Sequence, residues 1–478
     1  MKDLEMYIDG QFIENRSGKW INVLNPSTEE VISRMPDGTV DDVRAAIDAA
    51  EKAQGAWERL ISIERAQYLT KIAQGIRKRE KELMDIIVRE GGKTQGLANV
   101  EVNFTADYID YMAGWARRYE GEIIPSDRPH ETIFVFKKPI GVTTGILPWN
   151  FPFFLVARKA APAMLTGNTI VLKPSQLTPE NAYVFAQIVD EAGVPKGVFN
   201  IVNGRGSVVG HEMAANPKVG MVSLTGSVSA GVQTMEAASA NVTKVSLELG
   251  GKAPAIVMPD ADLDLTVKSI IASRVINTGQ VCNCCERVYV HSSIKDVFIE
   301  KLLDGFGKVK VGNPNEVADL DMGPLIDAGA LKSVEEKVGK AVKQGATLAY
   351  GGKRIGAKGY FFEPTLLTNC TQKMDIIQEE TFGPVLPVVE FTEVEDAITW
   401  ANDCEYGLTS SVYTQNLDMA FKLMRSLKFG ETYINRENFE AMQGFHAGWR
   451  KSGIGGADGK HGLEEYLQTH VVYLETQG

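Results

Sequence analysis

Cysteine and histidine are scarce in this chain, and their scarcity excludes several chemistries at once. Five cysteines in 478 residues form an odd and sparse set, which argues against a disulfide framework and for a reducing compartment. With Cys370 and Cys404 isolated and six histidines scattered, no second ligand pair exists for a structural zinc site. No uninterrupted apolar run is long enough to cross a bilayer, and Met1-Lys2-Asp3-Leu4-Glu5-Met6 has no apolar signal core. A cytoplasmic location without a membrane partner is therefore expected. Basic residues number 50 against 61 acidic, and the net charge of −11 disfavours a nucleic-acid partner. Two nucleotide signatures are also missing. The nearest approach to Gly-x-Gly-x-x-Gly is Gly204-Arg205-Gly206-Ser207-Val208-Val209-Gly210, whose last gap is one residue too long, and Gly92-Lys93-Thr94 has Ile87 where a phosphate loop needs glycine.

What is present points to a small-molecule enzyme. At about 100 to 200 residues per domain the chain should hold two or three domains. Its 46 glycines and 44% hydrophobic content fit an α/β protein with many tight turns. Three of the five cysteines, Cys282, Cys284 and Cys285, crowd into Gly279-Gln280-Val281-Cys282-Asn283-Cys284-Cys285. A nucleophile is the leading reading of that cluster, and ordinary buried thiols are the second.

Residues 6–35 alternate short apolar runs with turns and read as a peripheral β-layer. Helical spacing starts at Asp41, with Asp41 and Asp42 as caps and Val43, Ala46, Ile47 and Ala50 on one face, and continues through about 63–118. Prolines flank Thr132-Ile133-Phe134-Val135-Phe136, as in a hairpin or interface strand, and His470-Val471-Val472-Tyr473-Leu474 is a terminal strand that could pair with it. Between them, strand, turn and helix alternate from Gly141, predicting a parallel sheet with ligands at the carboxyl ends of its strands. A strand over 244–249 ends at Gly250-Gly251, read as a hinge and domain boundary. Beyond it a second series has strands near 254–257, 288–291 and 385–391 and helices near 261–277 and 327–344.

Several residues stand out singly. Gly226-Ser227 follows a strand and opens a helix, a generic phosphate seat or simply a capped turn. Lys173, in Leu172-Lys173-Pro174-Ser175-Gln176, can reach a ribose or phosphate, or snorkel at the surface. Asn150, in Pro148-Trp149-Asn150-Phe151-Pro152, can donate to an oxyanion, or serve only the turn. Glu248 lies among apolar residues, where burial is expected to raise its pKa toward that of a neutral-pH base; the alternative is a structural carboxylate paired with a lysine or an amide.

Taken in order, Pro148-Trp149-Asn150-Phe151-Pro152, Glu248-Leu249-Gly250-Gly251-Lys252, Gly279-Gln280-Val281-Cys282 and Glu380-Thr381-Phe382-Gly383-Pro384 resemble the NAD(P)-dependent aldehyde dehydrogenases over essentially the whole chain. The resemblance implies two doubly wound α/β domains plus a small β-strand oligomerisation arm: 1–118 and 140–251 for the dinucleotide, 252–450 for the nucleophile, and 119–139 with 451–478 as bridging segments of a homo-oligomer, a tetramer or dimer. It implies Cys282 as the nucleophile, an oxyanion held by Asn150 and the Cys282 N–H, hydride loss to nicotinamide, and thioester hydrolysis by water that Glu248 activates. Acyl transfer to coenzyme A is not expected, since members that perform it lack that glutamate. By the same resemblance Lys173 and Glu380 lie at the ribose, Gln176 at the position that meets the adenosine ribose, Ser175 among the cofactor-binding residues, Gly226 and Ser227 at the pyrophosphate, and Leu147, Trp149 and Phe382 form the walls. NAD is the expected cofactor. NADP is also admitted, because Gln176 stands where NAD-preferring relatives carry a glutamate.

Gly430-Glu431-Thr432-Tyr433-Ile434-Asn435-Arg436-Glu437-Asn438-Phe439 and Gly444-Phe445-His446-Ala447-Gly448-Trp449-Arg450 resemble the bacterial lactaldehyde and glycolaldehyde dehydrogenases within that family. Arg158, Asn283 and His446 are then the expected contacts to a small hydroxyaldehyde. Arg158 also has a counterpart in succinate-semialdehyde dehydrogenases, which keeps that substrate as the alternative, and a nucleotide-free Cys/Glu/Lys thiol hydrolase is the alternative from another class. For Arg158 a helix-surface position, and for His446 a loop position outside the pocket, remain open.

Overall fold

The computed structural model describes residues 1–477; Gly478, the last residue of the expected 451–478 bridging segment, lies outside the described residues. An eight-stranded sheet runs in the order Gly453–Ile454, Lys244–Glu248, Met221–Thr225, Val142–Ile146, Thr169–Lys173, Phe199–Ile201, Met6–Ile8, Gln11–Ile13. Its five central strands are parallel. Runs such as Thr169–Lys173 are buried throughout, as a strand covered on both faces must be. The second sheet has seven strands, in the order Thr347–Tyr350, Thr365–Thr368, Val385–Phe391, Arg287–His291, Pro254–Val257, Thr409–Tyr413, Glu431–Ile434, and only its first pairing is antiparallel. The helices expected near 261–277 and 327–344 are Leu263–Val275 and Ala328–Lys343.

Glu122–Pro125, Glu131–Pro139 and Leu467–Glu475 form a separate three-stranded antiparallel sheet. The terminal strand pairs with the hairpin of its own chain, His470 opposite Phe136. Ile123, Phe136, Tyr473 and Leu474 stand exposed on it.

Three expectations need correction. The peripheral β-layer divides: strands Met6–Ile8 and Gln11–Ile13 extend the large sheet, while Lys2–Asp3, Trp20–Leu24 and Val31–Pro36 form a small one. The first long helix, Val40–Arg59, is capped by Thr39, whose hydroxyl accepts from the Asp42 N–H while the Asp42 carboxylate accepts from the Thr39 N–H. This reciprocal pair satisfies two end donors where Asp41 and Asp42 alone would satisfy none of the preceding turn. Gly250-Gly251 is a close approach rather than a hinge: a Cβ at Gly250 would lie 2.4 Å from the Glu380 carboxylate, and one at Gly251 2.6 Å from Cys282 O. The surplus residue in the near-fingerprint after strand Phe199–Ile201 lies in one π-helical turn, Gly206–Gly210, in which the His211 N–H reaches Gly206 O.

Candidate active site

At the carboxyl ends of the parallel strands of the first sheet, facing the second, lies a cleft of about 310 Å³. Its walls include Trp149, Asn150, Arg158, Gly226, Ser227, Glu248, Cys282, Asn283, Glu380 and Phe382, which places most of the singled-out residues in one space. The thiol enters from a strained loop. Asn277 and Thr278 both hold positive φ, 47° and 60°, a conformation that costs a β-branched residue about 1–3 kcal/mol. Buried bonds hold it there: Thr278 Oγ1 donates to Gly323 O at 3.0 Å, and Gln280 Nε2 to Asn277 O at 2.9 Å.

The two neighbouring thiols are different in kind. Cys284 and Cys285 are fully buried, and desolvation pushes each up to about 12. Cys282 alone of the three reaches the cleft.

Opposite it, Asn150 is fixed from behind. Lys93 Nζ donates to Asn150 O at 2.8 Å and to Glu101 at 2.5 Å, while the other Glu101 oxygen accepts the Phe153 and Phe154 N–H groups at 3.0 and 3.1 Å. Glu101 thereby satisfies donors that the start of helix Pro152–Leu165 leaves unpaired. The Asn150 amide spends one N–H on Gln280 O at 3.1 Å. A primary amide has two, so one is left for a ligand.

Glu248, at the end of its strand, accepts from Thr225 Oγ1 at 3.1 Å and lies 3.7 Å from Arg158. Burial does push its carboxyl up, as expected, but Arg158, then Lys159 and His446, outweigh burial and hold it below the ordinary carboxylate value. The expectation of a raised pKa is therefore corrected. Neither Arg158 nor His446 is at the surface; they are 5% and 1% exposed. Arg158 forms a bidentate pair with Asp458, and burial pushes the Asp458 carboxyl up while Arg158 draws it back. Burial would lower the His446 imidazole, yet Glu431, 3.0 Å away, leaves it well above its usual value, and the ring lies against Cys282. His446 is thus beside the thiol although it is not one of the residues lining the cleft. Asn283 donates to Glu440.

Of the cofactor residues singled out, Trp149, Gly226, Ser227, Glu380 and Phe382 line the cleft, whereas Leu147, Lys173, Ser175 and Gln176 are not among its lining residues. Lys173 is 5% exposed and burial lowers it to about 8; its Nζ has one acceptor, Pro174 O at 3.0 Å, so it does not snorkel. Leu147 is buried beside it, its N–H donating to Lys173 O. Ser175 Oγ accepts from Leu177 N, and Gln176 is exposed. Ser227 caps helix Val228–Ser239 through the Ala230 N–H. Trp149 and Phe382 meet edge to face at 5.5 Å. Glu380 accepts from Gly251 N at 2.8 Å, and burial, reinforced by Glu286, raises it to about 7. Glu286 ties the Glu380–Phe382 wall to the nucleophile loop: its carboxylate accepts the Thr381 and Phe382 N–H groups and pairs with Lys252 and Arg274. Against burial, those two cations depress it to about 2.

Sequence reasoning missed Lys93, Glu101, Glu286, Glu440 and Asp458. Glu286 left a trace, an acid inside the buried run before Arg287-Val288-Tyr289. Asp458 lies in Gly455-Gly456-Ala457-Asp458-Gly459, a turn-like composition with no local sign of a buried ion pair. Among the described residues no cluster of metal-ligating side chains occurs, and no helix is long and apolar enough to cross a membrane.

The aldehyde dehydrogenase family model matches residues 12–472. Lactaldehyde dehydrogenase of Escherichia coli (strain K12) is 67% identical over 471 residues, 98% of each chain. A crystal structure of the Escherichia coli lactaldehyde dehydrogenase superposes with a TM-score of 0.99 at 66% identity, covering 99% of this chain and 100% of that one. A 3,6-anhydro-L-galactose dehydrogenase solved in complex with NADP superposes at 0.97 with 42% identity, over 99% and 100% of the two chains. With the four ordered motifs meeting in one cleft and similarity running the length of the molecule, the chain belongs to the aldehyde dehydrogenase family and is an NAD(P)-using oxidoreductase.

Proposed function

We propose that this chain oxidises a small neutral hydroxyaldehyde, of the lactaldehyde or glycolaldehyde kind, irreversibly to its carboxylate. The observation that carries the reading is the convergence of Cys282, Asn150, Glu248 and Arg158 on one cleft, in a chain 67% identical to a lactaldehyde dehydrogenase.

The polar groups beside the cleft suit a dinucleotide. Lys173 keeps a buried amine with a single acceptor, Glu380 keeps one carboxylate oxygen without a backbone donor, and Ser227 opens a helix with free N–H groups. Lys173, Ser175, Gln176 and Glu380 would hold the ribose, Gly226 and Ser227 the pyrophosphate, with Leu147, Trp149 and Phe382 as walls. Bound there, NAD(P) supplies the hydride acceptor. NAD is the main cofactor, and NADP is accepted because exposed Gln176 carries no charge to repel a 2′-phosphate.

Cys282, as thiolate, adds to the aldehyde carbon. The oxygen takes the electron pair and is held by the second Asn150 N–H and the Cys282 backbone N–H. Arg158, Asn283 and His446 orient the substrate hydroxyl. After hydride loss the acyl group remains on Cys282 as a thioester. Glu248 takes one proton from water as the water oxygen forms its bond to the acyl carbon; the C–S bond breaks with its electron pair on sulfur, and the carboxylic acid leaves the thiolate and loses its remaining proton to solvent. Because Glu248 stays ionised at neutral pH, it is always ready to accept that proton.

Residues 1–118 with 140–251 form the dinucleotide-binding unit and 252–450 the catalytic unit. Segments 119–139 and 451–478 bridge subunits, and the three-stranded sheet of Glu122–Pro125, Glu131–Pro139 and Leu467–Glu475, with its exposed Ile123, Phe136, Tyr473 and Leu474, is the contact of a cytoplasmic homo-oligomer, a tetramer. NADH and NADPH formation from glycolaldehyde, L-lactaldehyde and succinate semialdehyde, measured side by side, tests the reading. The two hydroxyaldehydes should win with NAD, and a clear lead for succinate semialdehyde would overturn the substrate assignment.

A further inference from the structure

Arg158 is the cation that a substrate tail meets in the cleft, and its charge is already taken. Nε donates to Asp458 Oδ1 at 2.9 Å and a terminal nitrogen donates to Asp458 Oδ2, a bidentate pair with side chains 5% and 1% exposed. Glu440 lies 3.6 Å from that terminal nitrogen and Glu248 3.7 Å from the other. Three carboxylates therefore surround one guanidinium. The next cations do not reverse the sign: Lys159 Nζ is turned to Ser223 Oγ at 2.7 Å, and His446 is paired with Glu431. Around the cleft floor three cationic groups, Arg158, Lys159 and His446, face four carboxylates, Asp458, Glu248, Glu440 and Glu431.

We propose that Asp458 is a specificity-determining positioning residue: by occupying Arg158 it turns a carboxylate-binding cation into a donor to a neutral hydroxyl, and together with Glu440 it excludes aldehydes that carry a carboxylate. The inference rests on the function proposed above and deepens it. The hydrogen-bond inventory explains the selection. A hydroxyl can accept from an Arg158 N–H and donate to Glu440, completing both. A carboxylate in the same place has no proton to give, and it would stand among Glu248 and Glu440 with Arg158 already neutralised. Asp458 itself does not line the main cleft, so it acts through Arg158 and not on the substrate.

Glyoxylate and glycolaldehyde put a carboxylate or a hydroxymethyl group at the same position, and their relative kcat/KM is the readout. Asp458→Asn keeps the shape and removes the charge; it should raise the glyoxylate-to-glycolaldehyde ratio by about tenfold or more, mainly through a lower KM for glyoxylate, as expected for one like charge removed from a desolvated site. Glu440→Gln, a change in the part-exposed wall that a folding failure at the buried Asp458 would not affect, should move the ratio in the same direction. A merely structural role would depress both substrates alike, so a flat or falling ratio in the variants that fold overturns the inference. Wild-type turnover of glycolaldehyde in the same series tests the function separately: its absence overturns both, whereas turnover with a flat ratio overturns only the role of Asp458 and Glu440.

Discussion

Replacing Glu248 by Gln should separate the two halves of the reaction. The amide keeps the side chain's shape and can still accept the 3.1 Å bond from Thr225 Oγ1. Arg158 loses a neighbour at 3.7 Å but retains its bidentate partner Asp458, so no buried cation is stranded, and the change in stability should be only about 1 kcal/mol. Catalysis is another matter. A positioned general base is worth about 10²–10⁴-fold, or roughly 3–5 kcal/mol of barrier, and that contribution falls entirely on thioester hydrolysis. Acylation, which uses Cys282 and Asn150, is left in place. Stopped-flow absorbance should therefore show a burst of about one NADH per Cys282, followed by a steady rate lower by about 10²–10⁴-fold. The electrostatics add a second signature. With its pKa depressed by Arg158, Lys159 and His446 against the opposing effect of burial, Glu248 is already ionised throughout the neutral range, and its basic form is lost only as pH falls through and below the ordinary carboxylate region. A variant with an unchanged steady rate, or a wild-type rate profile with a neutral limb that vanishes in the variant, would refute the reasoning.

Other substitutions probe the surroundings. Gln176→Glu should lower kcat/KM for NADP by about tenfold while leaving NAD within about twofold, because a surface carboxylate would then face the 2′-phosphate; equal losses with both cofactors would count against Gln176 as the discriminating position. Glu380→Gln tests the carboxyl that burial raises to about 7 from 4.5. A raised value means that the group's stabilisation is complete below 4.5 and lost as pH climbs through 7, so the melting temperature of the variant relative to wild type should rise between pH 5 and pH 8, and a difference that does not vary with pH would contradict it. Lys93→Met strands the fully buried Glu101 carboxylate and should cost about 3–5 kcal/mol in calorimetric stability. It should also reduce kcat/KM, since Asn150 O loses its anchor; an unaltered melting curve would show that the pair does not hold the turn.

The strands that were legible announce themselves locally, whereas Thr347–Tyr350, Thr365–Thr368, Thr409–Tyr413 and Glu431–Ile434 of the second sheet were not read from the sequence. Thr169-Ile170-Val171-Leu172 is a β-branched, apolar run closed by a turn, and such runs need no distant partner to be recognised. Cys282, Asn150 and Glu248 were legible as a set only through the order of their motifs, since no spacing between them is periodic. What stayed hidden depends on side chains meeting across the fold. Glu248 among apolar neighbours reads as a raised carboxyl until Arg158, from a helix about ninety positions earlier, is seen at 3.7 Å. Gly250-Gly251 reads as flexible until Glu380 and Cys282 O are found where side chains would be. Thr278 gives no hint of a left-handed backbone, because its residue type argues against one.

The partner of Arg158 stands 300 residues away in the chain, and this has a consequence for the order of assembly. Cys282 and Glu248 leave the ribosome well before Asp458, and Gly453–Ile454 must still add itself to the edge of the first sheet beside Lys244–Glu248. Until then a growing chain carries Arg158 without its bidentate partner, and an open sheet edge. Contacts of such long range form slowly, since their loop-closure cost comes before their reward. Strand Gly453–Ile454 and Asp458 are therefore late additions to the surroundings of Arg158, made after Cys282 and Glu248 are already in the chain.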